Sequence, residues 1–185
     1  MDIPSKILAA SRELINDKGL VNWTVDDLAQ KAKVSKRTIY RYFSSKDEII
    51  EITLENFMLE IQAKFKNIVT QKSAPTEILS ALILEIYKNT PFIVNNKSLN
   101  DLKDSYPHLW QKIDSFRSAR LTEFMKHLMA LDNAEFLQEI DERIFTTVVI
   151  TIIQSVLNPT FLLENDLPFN KVIGDIGRLL EKILA

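Results

Sequence analysis

The chain has 185 residues, 46% of them hydrophobic and 26% charged, with no cysteine, three glycines and a formal net charge of −2. The lack of cysteine excludes a disulfide framework, a thiol nucleophile and cysteine-based metal sites. Glycine far below the roughly 7% of average usage excludes Gly-rich phosphate cradles and points to an all-α chain, long enough to bury a core as one domain or two small ones.

Met1 to Leu14 has neither a basic leader nor a long apolar core, so no signal peptide is expected there. Ile7, Leu8, Ser11, Leu14 and Ile15 keep the i, i+3/i+4, i+7 spacing of an amphipathic helix. That helix is expected from about Ser5 to Lys18, with Gly19 supplying a left-handed stop.

Thr24 and Asp27 form a capping pattern for a short second helix with Leu28, Ala29 and Ala32 on one face. Lys33 and Val34 make a tight connection, and Ser35 is a natural N-cap for a third helix. Val34 and Ile39 are placed as a hydrophobic staple, while Ile39 and Phe43 form the inward pair. At about 100° per residue, Arg41 then points outward, with Arg37 and Thr38 near it and Tyr40 and Tyr42 on the flanks. Lys36 projects past the helix start.

Charge follows this plan. The first fifty residues hold nine basic and seven acidic side chains, whereas the remainder holds fourteen and eighteen. From Leu28 to Lys46 there are six basic residues and no acid, a local footprint for phosphate on an otherwise acidic chain. Two short helices joined by a tight turn, the second with an outer face of Lys, Arg, Thr and Tyr, make a helix-turn-helix. Arg and Lys can pair with guanine O6 and N7, and hydroxyls and N-terminal amides suit phosphate oxygens.

The stretch from Thr24 to Ile49 resembles the DNA-binding signature of the TetR family of bacterial transcriptional regulators, and the likeness extends over residues 5 to about 55. The matching residues include Thr24, Val25, Leu28, Ala29, Ala32, Val34, Ser35, Thr38, Ile39, Tyr40, Tyr42, Phe43, Ser45 and Lys46. Lys33 stands where the family usually has glycine; a non-glycine left-handed residue is uncommon and mildly strained, so a slightly re-formed turn is expected there. The resemblance implies base contacts from Lys36, Arg37 and Tyr40 with Arg41 adjacent, and phosphate contacts from Thr24, Thr38, Tyr42 and Lys46. Ser45 and Glu48 form a second capping box, which sets the Lys46 ammonium beside a helix N-terminus.

Ile50, Leu54, Phe57, Ile61, Phe65 and Ile68 predict one long helix from Ser45 to about Gln71, with no linker between the DNA-binding unit and the rest. The division expected is 1–48 for DNA binding and 49–185 for a helical bundle, with about nine helices in all. Pro75 can open a helix that ends before Pro91, residues 98 to 105 a short one, and Pro107 another that runs through Leu128. Asn133 is a candidate cap for the next segment.

Thr146 to Ile153 is a run of eight β-branched residues, a strand by local propensity. Helical spacing of apolar residues from Ile144 to Leu157 outlasts any ordinary strand, so a helix is expected. That stretch, with three Thr, a Gln and a Ser, is too short to span a bilayer, and a soluble cytoplasmic protein with no membrane partner is the expectation.

A last helix from about Pro168 to Leu184 adds Val172, Ile173, Ile176, Leu179, Leu180 and Ile183. The two C-terminal helices carry more apolar surface than a small bundle needs, and the family resemblance implies a homodimer through them. Val149, Ile152, Ile153, Val156, Ile173, Ile176 and Leu180 are the expected interface. The resemblance further implies a small-molecule effector held within the C-terminal bundle. Phe65, Tyr87, Phe92, Tyr106, Trp110, Phe124 and His127 are candidates for its wall, plain core packing being the alternative.

His108 and His127 lie nineteen residues apart without a ligand motif, so no metal and no cofactor is expected. No nucleophile elbow, phosphate-binding loop or paired catalytic carboxylates stand out, so no enzyme is expected. The functional expectation is a regulator, most often a repressor, released from a palindromic operator by a ligand. Alternatives are a DNA-binding structural factor of the nucleoid-occlusion type governed by a protein partner, and a helical adaptor without DNA binding. The intact Lys36 to Lys46 face argues against the adaptor.

Overall fold

The computed structural model describes residues 2–72, 75–89, 96–130 and 140–184. Among these the chain forms ten helices and no strand. They are α1 (Ile3–Lys18), α2 (Val25–Ala32), α3 (Lys36–Tyr42), α4 (Lys46–Gln71), α5 (Pro75–Asn89), α6 (Asn96–Asp104), α7 (Pro107–Met129), α8 (Glu142–Val156), α9 (Pro159–Glu164) and α10 (Phe169–Leu184). The short α9, between two apolar helices, is the element that spacing did not announce. The cap expected of Asn133 lies outside the described residues.

α1 starts two residues before the expected Ser5, because the Asp2 carboxylate accepts the Ser5 N–H at 2.9 Å and Pro4 needs no amide donor in the first turn. Gly19 ends it at φ 83° and ψ −170°, a positive φ but not the left-handed helical stop expected. A Cβ at Gly19 would stand 2.6 Å from Asp101 Oδ2, so close approach as well as φ requires glycine here.

The Thr24 box is complete: Asp27 N–H donates to Thr24 Oγ1 at 3.1 Å, and Thr24 N–H donates to Asp27 Oδ2 at 2.7 Å. Lys33 adopts φ 55° and ψ 44°, so the left-handed turn is kept without the glycine and is not re-formed as expected. Val34 N–H donates to Ala29 O and Lys33 N–H to Gln30 O, which closes α2 as a Schellman turn and aims the chain into α3. The second capping box forms only halfway. Glu48 N–H does donate to Ser45 Oγ, but the Glu48 carboxylate reaches one residue further back, to Ser44 N–H at 2.5 Å and Ser44 Oγ at 2.6 Å.

α4 has 26 residues and at 1.5 Å per residue is about 39 Å long. It runs through two hydrophobic cores. Ile49, Ile50, Leu54, Phe57 and Met58 close the first over Ile7, Leu14, Ile15, Leu28 and Ile39, to which α6 and α7 add Leu102 and Leu109. Phe65 enters the second with residues of α5 to α10. Thr53 Oγ1 donates to the Ile49 carbonyl at 2.6 Å and meets Ser11 Oγ at 3.1 Å, so the buried hydroxyls between α1 and α4 are satisfied.

The β-branched run of α8 is helical because its apolar residues resolve into two rows. Phe145, Val149, Ile153 and Leu157 face the second core, and Ile144, Val148 and Ile152 face outward at 61%, 49% and 42% exposure. Gly177 lets α10 approach α5 closely, since a Cβ there would collide with Ile83.

Candidate nucleic-acid interface and effector cavity

α3 is anchored by the wholly buried Ile39 and by Phe43 just beyond its end, and turns its other side chains to solvent. Ser35 Oγ accepts the Thr38 N–H at 3.0 Å and lies 2.8 Å from Thr38 Oγ1, which fixes the first turn. Tyr40 and Tyr42 are 48% and 42% exposed. These aromatics are available to a partner rather than covering the small core.

Arg37 is exposed and makes no ion pair among the described residues. Arg41 lies with its guanidinium 4.9 Å from the Tyr42 ring centre and donates to the Tyr42 hydroxyl at 3.3 Å. Lys36 donates to Asp26 Oδ2 at 2.9 Å, and that carboxylate holds the ammonium above the usual lysine range. The pair is exposed and easily exchanged for phosphate.

Thr24 sits at the α2 start with its hydroxyl in the capping box. Lys46 departs from expectation. Its ammonium donates to the Val21 carbonyl at 2.7 Å and lies 4.4 Å from the Trp23 ring centre, and burial pulls its pKa below the ordinary value. It braces the turn between α1 and α2 instead of projecting as a free cation.

The same turn is held from α6, a contact no periodicity could announce. Asp101 Oδ2 accepts the Leu20 and Val21 N–H groups at 2.6 and 3.1 Å, and Lys97 donates to the Asp17 carbonyl at 2.9 Å. Tyr106 belongs to this junction and not to the cavity wall where it was expected. Its hydroxyl donates to Asp47 Oδ1 at 2.7 Å, and burial, reinforced by Asp47, pushes its pKa up.

Between α4, α5, α7, α8 and α10 lies an apolar cavity of about 210 Å³. Of the residues expected to line it, Phe65, Trp110 and Phe124 do so. His127 does not, and its Nε2 is buried without a hydrogen-bond partner among the described residues; the side chain of Tyr87 and all of Phe92 lie outside the described residues. Phe57, Phe116, Arg117 and Arg120 also line it and were missed.

The interface expectation changes most. Val149, Ile153, Ile173, Ile176 and Leu180 line this cavity within the chain itself, and Val156 is half-buried against the second core. Helical spacing finds an apolar face but does not say which of two faces meets its own chain. Ile152, with Ile144, Val148 and the 50% exposed Leu179, forms the outward apolar surface.

Among the described residues no three His, Cys, Asp or Glu side chains are grouped to hold a metal ion, and no helix is long and apolar enough to cross a membrane.

A three-helix unit that presents a cationic, aromatic recognition helix, joined through one unbroken helix to a larger helical bundle, defines a helix-turn-helix regulator. Comparison with known proteins agrees with this class. Residues 7–52 match the description "Bacterial regulatory proteins, tetR family". Over 176 residues, 95% of this chain and 92% of the other, the sequence is 27% identical to the uncharacterized HTH-type transcriptional regulator YvaF of Bacillus subtilis (strain 168). It is 25% identical over 83 residues to the HTH-type transcriptional repressor KstR2 of Mycolicibacterium smegmatis, 45% of this chain and 40% of that one. The crystal structure of a TetR transcription regulator from Haloarcula marismortui shares the fold, with a TM-score of 0.71 at 15% identity over 99% of this chain and 96% of that one. Residues 7–52 thus carry a DNA-binding domain similar to that of the tetR family, and over nearly its whole length the chain is similar to an HTH-type transcriptional regulator.

Proposed function

We propose that the protein is a repressor that binds a palindromic operator as a homodimer and is released by a small molecule held in the cavity. Residues 1–48 are the DNA-binding domain and 49–185 the effector and dimerisation domain. Lys36, Arg37 and Tyr40, with Arg41 beside them, read base edges. Thr24, Thr38 and Tyr42 meet phosphate, and Lys46 joins them by exchanging the Val21 carbonyl for a phosphate oxygen. A second copy covers the outward row Ile144, Val148 and Ile152, and its two-fold axis sets two recognition helices roughly 34 to 36 Å apart, or a multiple, along the duplex.

The observation that carries the reading is the double role of α4: its first turns close the core beneath α3, and its Phe57, Met58, Ile61 and Phe65 line the cavity. A ligand that prefers one tilt of this helix biases the spacing of the recognition helices, and a coupling of about 1 to 3 kcal/mol suffices for release. An open cavity favours small-molecule control over control by a protein partner, the alternative of the nucleoid-occlusion type.

Selection of binding sites from random duplexes with the purified chain tests the reading. Inverted repeats are the expected product, and screening compounds for loss of binding to them then finds the effector. Enrichment of single, unrepeated sites defeats the dimeric operator.

A further inference from the structure

We infer that the cavity takes an apolar monocarboxylic acid, its chain among the leucine, isoleucine and phenylalanine side chains and its carboxylate on Arg117 and Arg120. This rests on the cavity being the effector site.

Arg117 and Arg120 are three residues apart on α7, hence on one face, and both stand in a wall otherwise built almost wholly from apolar groups. Their side chains are only 17% and 24% exposed. Burying a guanidinium in such a wall is costly, and a chain that merely needed a filled core would place leucine there.

What holds the two groups is incomplete. Arg117 pairs with Asp114 and reaches the Leu157 carbonyl at 3.4 Å, with its guanidinium 5.3 Å from the Trp110 ring centre. Asp114 is itself shared with the Gln154 amide at 3.4 Å. Arg120 pairs with Glu123 at 2.9 Å and lies 5.7 Å from the Phe116 ring centre. Nε of each arginine is buried with no hydrogen-bond partner among the described residues. Desolvation pulls the Arg117 pKa down, against the opposing pull of its Asp114 partner.

A carboxylate supplies two oxygens with about four lone-pair sites in the geometry of a guanidinium fork, which suits two under-satisfied arginines better than a hydroxyl or an ester does. Among the described residues the wall offers a cation one carboxylate, Glu85, which is paired with Lys64 at 2.5 Å and, unlike the two arginines, has no buried polar atom left without a partner.

Calorimetric titration of the full chain with decanoate, methyl decanoate, decanol and decyltrimethylammonium, each below its micelle concentration, tests the assignment; hexanoate and palmitate bracket the length. Decanoate is expected to bind at least about tenfold tighter than its neutral analogues. Arg117→Gln and Arg120→Gln should each bring decanoate to the affinity of decanol and leave decanol unchanged. If one variant fails to fold, the other and the wild-type preference still decide.

Equal or tighter binding of decanol or of the cation, or no binding by any acid, overturns the inference. An acid that binds without releasing DNA contradicts effector control but not the site. Release of DNA by neutral or cationic compounds while acids stay unbound contradicts the site but not effector control.

Discussion

Replacing Asp101 by alanine probes the junction between the α1–α2 turn and α6. The wild-type carboxylate accepts the Leu20 N–H at 2.6 Å in a part-buried setting and the exposed Val21 N–H at 3.1 Å. A hydrogen bond to a charged group contributes roughly 1.5 to 3 kcal/mol, and water replaces most of the exposed one, so the loss is about 2 kcal/mol. For a chain of this length that corresponds to a fall in Tm of about 4 to 8 °C. Asp101→Asn keeps an acceptor oxygen and should lose about half as much. Thermal unfolding by circular dichroism gives the shift, and amide exchange at Leu20 and Val21 gives its location. Lys97 and Tyr106 keep their own contacts to Asp17 and Asp47 in the variant, so the effect should stay local to the turn. An unchanged Tm together with unchanged exchange at these amides refutes the carboxylate's role as a clamp.

Lys33→Gly relieves a left-handed backbone that costs a non-glycine residue about 1 to 2 kcal/mol, against roughly 0.5 to 1 kcal/mol returned through unfolded-chain entropy. The net gain of about 0 to 1.5 kcal/mol corresponds to a rise in Tm of up to about 6 °C on thermal unfolding, and a fall means the lysine is not strained. Ile152→Glu puts a charge on the outward row of α8 and should give a folded monomer by light scattering with its helical dichroism intact. A wild-type chain that is already monomeric contradicts the proposed second copy.

Much of this architecture is written locally. The Thr24 box, the Ser35 cap and the inward Ile39 and Phe43 fix α2 and α3 within a few residues of each signal, and the structure has them as expected. The re-forming expected at Lys33 does not occur, because a Schellman turn demands positive φ whatever the side chain. Legibility failed where a decision depends on residues far apart in the chain. Nothing near Asp101 marks it as the acceptor for amides eighty residues earlier. The contacts of Lys46 were not legible because its partners, the Val21 carbonyl and the Trp23 ring, arrive through the fold. Tyr106 had the aromatic character of a pocket residue, but its hydroxyl found Asp47. In α8 the helical periodicity holds, and of the residues expected at the seam Ile152 faces outward while Val149 and Ile153 face the cavity. Val149 and Ile153 repeat as regularly as Ile144, Val148 and Ile152, and only three-dimensional packing assigns one row to the cavity and the other to the surface.

The central claim is that α3 reads DNA sequence, and it is tested most directly by titrating wild type, Arg37→Ala, Tyr40→Ala and Lys46→Ala against a selected duplex and a scrambled one at the same salt. Arg37→Ala and Tyr40→Ala should lose about 1 to 3 kcal/mol on the selected duplex and much less on the scrambled one, whereas Lys46→Ala should weaken both about equally. Equal losses on both duplexes for all three variants would contradict the account.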